Sequence, residues 1–254
     1  MTNRVTALSV LILLLVLWVP SASAAAQSSV IPGELKLDVR GNTGQQSYSI
    51  PIQILFFLTI LTFIPAILIS LTSFTRIIIV FHFLRQALGT NETPSNQIII
   101  GLTLFLTMFV MAPVGEQIKK DAVDPMMAGK ISQTEALTTA VKPLRGFMLK
   151  YTREKDLALF LSIAKQERPK TREDVPTTVL IPAFMISELK TAFQIGFVLF
   201  LPFLVIDMVV ATVLLSMGMM QLPPVMVSIP FKILLFIMVD GWNLVVGSLV
   251  KSFY

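Results

Sequence analysis

Between Phe193 and Val250 two apolar runs are joined only by the stretch Met217-Gly218-Met219-Met220-Gln221-Leu222-Pro223-Pro224. Each run exceeds the roughly 20 apolar residues that carry a helix across a bilayer. A connection this short cannot form a domain, so the two runs must fold back on each other as a helical hairpin. Gly218 permits the turn, and Pro223 and Pro224 restart a chain that cannot continue the preceding helix. Three charges, Asp207, Lys232 and Asp240, lie inside these apolar runs. Ionisable groups at such depth are costly to bury and are candidate functional residues for that reason.

The whole chain has the same character. It is 54% hydrophobic with a mean hydropathy of +0.78, which indicates a membrane or membrane-assembly protein, all-α, built of helical hairpins with Pro-kinked helices. With no Cys it has no disulfide framework or thiolate chemistry, and its one His leaves almost nothing for a zinc site or a Ser-His-Asp triad. No metal, cofactor or nucleic-acid site is expected. The net charge of +5 reads as loop charges near anionic membrane lipid.

Along the chain, Arg4, the apolar stretch 7–19 and the A-x-A site Ala22-Ser23-Ala24 read as a cleaved signal peptide over 1–24. Residues 25–50 are a polar, Gly-containing arm. The segment 51–114 is a first apolar hairpin, with runs Ile52–Leu71, interrupted by Pro65, and Ile98–Val114. With the last third this makes four apolar runs. Arg76 and Arg85 give the connection inside the first hairpin a positive bias that argues for the cytoplasmic side. The lone His82 reads as a packed or interfacial residue. Residues 115–190 form the one conventional polar region; a signal sequence followed by two crossings places it, and the N-terminus, in the periplasm. Within it Ser132 and Glu135 fit a capping box, and the helix they open should bend or break near Pro143. Thr152 should cap a second helix with Leu157, Phe160, Leu161 and Ala164 on one face. Pro182 should lie in the first turn of the long helix entering the C-terminal hairpin, 191–254.

The apolar charges invite comparison with an intramembrane aspartyl protease, whose two carboxylates share a proton. Hairpin geometry opposes it. With the tip between Met219 and Met220, Asp207 lies about 12 residues before it, and the residue at equal depth on the return helix is Lys232. Asp240 is eight positions further on, or ~12 Å at ~1.5 Å per residue. The register therefore predicts an Asp207–Lys232 pair, with a structural or a gating role, and no catalytic dyad. There is no P-loop, H-E-x-x-H or G-x-G-x-x-G either. A small-solute or ion transporter would also accommodate broken helices and mid-membrane charges, but the inverted repeat that would mark one is missing.

From about Ile50 to Tyr254 the chain resembles the FliP family, components of the export gate of the bacterial flagellar type III secretion system. The resemblance rests on Thr72-Ser73-Phe74-Thr75-Arg76, Leu84-Arg85-Gln86-Ala87-Leu88-Gly89 and Pro94-Ser95-Asn96-Gln97. It continues in Thr152-Arg153-Glu154-Lys155-Asp156-Leu157, in Ser187-Glu188-Leu189-Lys190-Thr191-Ala192-Phe193-Gln194-Ile195-Gly196-Phe197, and in Leu201-Pro202-Phe203. Pro230-Phe231-Lys232 and Val239-Asp240-Gly241-Trp242 complete it. The leader and the ending Ser252-Phe253-Tyr254 look more flagellar than like the virulence injectisome counterpart. The resemblance implies a non-enzymatic, cofactor-free subunit of a protein-conducting channel in the inner membrane and flagellar basal body. It implies a pentamer-like helical ring of copies with FliQ-like and FliR-like subunits, alongside FlhB-like and FlhA-like export proteins, passing unfolded export substrates. It further implies that the apolar hairpins pack on one another, much of them above the usual membrane plane. Met217, Met219 and Met220 would then form the pore gasket, with Gln221 where a third consecutive Met is usual. Gly146 stands where an acidic residue is common in the family.

Overall fold

The structure, a computed structural model, describes residues 50–90, 92–166, 169–219 and 221–254. The signal peptide 1–24 and the arm up to Ser49 lie outside the described residues, as does Met220. Residues 49–254 make one compact unit, and the described residues are helical with no strand.

Helix α1, Ile50–Leu71, runs without interruption through Pro65. Helix α2, Phe74–Leu88, follows after a two-residue break. Its apolar residues Ile77, Val80, Phe81, Leu84 and Leu88 recur at helical spacing, and all five are buried. Helix α3, Asn96–Ile118, buries only a narrow line, Ile99, Thr103, Leu106, Val110 and Val114. Its other face leaves Phe105, Met108 and Phe109 more than 60% exposed. A π-helical turn, Lys119–Val123, leads into the short α4, Asp124–Met127.

Helix α5 spans Gln133–Tyr151. The Ser132 hydroxyl accepts from the Glu135 amide at 3.2 Å, as the capping box predicts. Of the bend or break expected near Pro143, no break occurs; the helix continues through it for two more turns. Helix α6, Glu154–Ile163, is capped by Arg153, not Thr152. Thr152 instead ends α5, and its hydroxyl donates back to the Met148 carbonyl at 2.6 Å. Leu157 and Leu161 are buried and Phe160 is half-buried against the core, whereas Ala164 ends the helix and is exposed.

A 3-10 turn, Arg172–Asp174, precedes α7, Thr177–Ser216, a 40-residue helix about 60 Å long. It begins five residues before Pro182, which is therefore inside the helix and not in its first turn. The helix crosses the position where polar composition gives way to apolar, so that change is not a change of element. Helix α8, Pro224–Met238, packs back along it, and α9, Gly241–Lys251, follows with a 66° bend between the two. Packing of α2 against α7 is the most extensive helix pairing. Among the described residues two helices are long and apolar enough to cross a membrane, and the bent α8–α9 pair would make a third; α1 contributes the shorter apolar stretch Phe57–Ile67.

Candidate functional site

The hairpin tip is built by backbone hydrogen bonds. Gly218 takes φ +73°, a left-handed conformation that costs glycine nothing and other residues strain. The Gly218 amide then donates to the Leu215 carbonyl at 3.0 Å, and the Met219 amide to the Leu214 carbonyl at 3.0 Å. This pair of bonds is a Schellman motif, and it satisfies the orphaned carbonyls that end α7. Pro223 is the N-cap of α8 and Pro224 its first residue, where the missing amide is harmless. Met217 and Met219 stand on either side of Gly218, 66% and 40% exposed.

Below the tip, Asp207 and Lys232 come together. Lys232 Nζ lies 2.6 Å from Asp207 Oδ2, with Lys232 only 2% exposed and Asp207 about a quarter exposed. The other Asp207 oxygen accepts from the Ser228 hydroxyl. Lys232 also donates to the Ala87 carbonyl at 3.1 Å, one of the last carbonyls of α2, where a cation is favoured by the helix dipole. This node therefore ties α7 and α8 to the end of α2. Asp240 does not belong with it. It sits at the bend between α8 and α9 in a left-handed conformation, φ 51°, caps nothing with its side chain, and is exposed. The bend turns it outward, so the expectation that it is buried fails within the single chain.

A second buried ion pair was not predicted. Arg76 and Glu188 form a two-pronged contact, Nη2 to Oε1 and Nε to Oε2, the latter at 2.9 Å. Both residues are buried. Arg76 Nη1 also donates to the Ser252 carbonyl at 3.1 Å and to its hydroxyl at 3.0 Å. The guanidinium lies 3.9 Å from the centre of the Phe253 ring, and the Tyr151 hydroxyl donates to the Phe253 carbonyl. Arg76 is thus not a loop charge, and its weight in the topology argument falls away; Arg85 is half-buried and donates to Asn96 Oδ1 at 2.7 Å. The signal for the pair was present: Arg76 is in phase with the buried Val80 and Leu84, and Glu188 with Leu180, Phe184 and Ala192.

Around Glu188 a polar cluster joins α6 to α7. The Arg153 amide donates to Ser187 Oγ at 3.0 Å, Ser187 donates to Asp156 at 2.6 Å, and the Arg153 side chain reaches Thr191 and Gln194. His82 lies on the surface of α2 beside Arg85 at 3.2 Å. Partial burial and the neighbouring guanidinium hold its pKa below the ordinary value of 6.5. No cluster of His, Cys, Asp and Glu suited to a metal occurs among the described residues.

The FliP family model matches residues 57–249. The chain belongs to the FliP family. The flagellar biosynthetic protein FliP of Bacillus subtilis (strain 168) is 54% identical over 217 residues, 85% of this chain and 98% of the relative. That of Pectobacterium carotovorum subsp. carotovorum is 54% identical over 211 residues, 83% of this chain and 82% of the relative. The Aquifex aeolicus (strain VF5) protein is 47% identical over 228 residues, 89% and 93% of the two chains. The FliP-family match spans the tip and both buried ion pairs.

Proposed function

We propose that this chain is a core subunit of the flagellar type III protein export gate, contributing its C-terminal hairpin tip to a protein-conducting channel. The flagellar export assignment at its coarse level follows from the family. The observation that carries the finer reading is a hairpin tip held by backbone hydrogen bonds while Met217 and Met219 stay exposed. An unbranched thioether side chain changes shape at low cost, and a ring of them excludes water and ions by dewetting. One tip cannot encircle a pore, so several copies must contribute. The apolar flanks of the hairpin, including Met208, Val209 and Phe231, are each more than half exposed in the single chain, which suits packing against further copies and FliQ-like and FliR-like subunits.

In this reading residues 51–114 and 191–254 are the apolar hairpins, 115–190 is a periplasmic helical region, and 25–50 a periplasmic arm. The complex lies at the inner membrane in the flagellar basal body, beside FlhB-like and FlhA-like proteins, and passes unfolded flagellar subunits. No step of bond chemistry is assigned to it, and energy is supplied elsewhere. Electron microscopy of the chain co-expressed with FliQ-like and FliR-like subunits tests the proposal. A closed assembly with the 217–220 tips around its axis is expected; tips facing away from the axis would refute it.

A further inference from the structure

We propose that the polar middle region holds a binding site for a phosphate-class polyanion, at a basic cavity between α5 and the 3-10 turn. The inference is independent of the pore reading. The cavity, of about 530 Å³, is lined by Lys142, Arg145, Lys150, Arg172, Gly146 and Glu173 among others. Four cations thus face one carboxylate. Two of the cations are held in place without any carboxylate. Arg145 donates to the Val175 carbonyl at 2.6 Å, to the Glu173 carbonyl at 2.9 Å and to Thr177 Oγ1. Arg172 donates to the Thr152 carbonyl at 2.9 Å. Neutral carbonyls orient these guanidinium groups and leave their charge uncancelled.

Lys142 and Lys150 supply the other two charges. They are two turns apart on one face of α5, exposed, and without an ion-pair partner among the described residues, where the ion pairs are Arg76–Glu188 and Lys232–Asp207. Between them stands Gly146, and a Cβ added there would meet nothing within 4 Å. The same three residues line a second cavity of about 530 Å³, whose walls include the apolar Val110, Val114 and Phe147 and one carboxylate, Asp121. A net excess of positive charge, in which the Arg145 fork is already donated to protein acceptors and acts through its charge, fits a multiply charged oxyanion better than a single carboxylate. The anion is either free or the headgroup of an anionic lipid whose tails follow the apolar cavity.

The test uses the purified full chain in detergent. Inorganic pyrophosphate is titrated calorimetrically, and diphosphatidylglycerol in mixed micelles is titrated by native mass spectrometry, with phosphatidylcholine as control. Saturable binding of at least one phosphate probe is expected. Lys142→Gln with Lys150→Gln should weaken it by roughly tenfold or more. Gly146→Glu places a carboxylate between the two lysines, in open space, and should weaken it equally while keeping the helix content measured by circular dichroism. Pyrophosphate binding marks a free anion as sufficient, and binding of the lipid alone marks a headgroup. If neither exceeds the phosphatidylcholine control, or if binding survives either variant, the site does not exist.

Discussion

Lys232 is the residue on which three helices agree. Its amine is shared between the Asp207 carboxylate and the Ala87 carbonyl, so removing either charge has unequal consequences. Asp207→Ala leaves an ammonium that is 2% exposed with only a neutral acceptor, a loss of about 3–5 kcal/mol. Lys232→Ala leaves a carboxylate that still touches solvent and Ser228, and should cost less. Both should impair motility, and the exchange Asp207→Lys with Lys232→Asp should recover part of it; denaturant titration of the purified variants checks the order. The pairing was legible in the sequence because a hairpin with a fixed tip equates depth with distance from the tip. The Ala87 carbonyl was not, since it arrives from a helix whose angle no local pattern specifies. Gly196 is a second residue of this kind. A Cβ there would lie 2.5 Å from Phe83 Cδ2 and 2.6 Å from Cγ, and the Phe83 ring is packed edge-on against Phe193 with centroids 5.2 Å apart. Gly196→Ala should therefore separate α2 from α7 and destabilise the chain by about 1–3 kcal/mol, measurable as a lower denaturation midpoint.

At the level of elements, the ends of helices were read well where a side chain or a glycine makes the cap. Ser132 is the clear case. Ser132→Ala should cost about 1 kcal/mol, and faster amide exchange confined to the first turn of α5 would show it. Prolines misled in both directions. Pro143 was expected at a bend or break and Pro182 in a first turn, yet each lies within a continuous helix. A proline forbids one backbone hydrogen bond, but neighbouring helices decide whether the axis continues. Thr152 misled for a different reason: a threonine between two helices can cap the second or close the first, and here it bonds backward to Met148. Arg76 and Glu188 escaped because counting charges as markers of loops overlooks helical phase, which puts both on buried faces.

For the whole molecule, the tip is where, in the proposed gate, the single chain would meet further copies. Replacing Met217, Met219 and Met220 by Ala should leave subunit association intact and make the closed gate leak small ions. Ion conductance, or salt sensitivity of cells carrying the variant, reads this out, and unchanged conductance in an assembled variant would remove these residues from the seal. The Schellman turn at Gly218 should hold in either case, since it depends on backbone bonds alone. The clamp on Arg76 bears on how such a chain is made. Ser252, 176 positions after it, and the adjoining Phe253 cover that guanidinium and are synthesised last of its partners. Before they leave the ribosome the cation already has the Tyr151 ring and the Glu188 carboxylate, the latter 112 positions away. A nascent chain stalled short of Ser252 and Phe253 would therefore hold the Arg76–Glu188 pair without that cover.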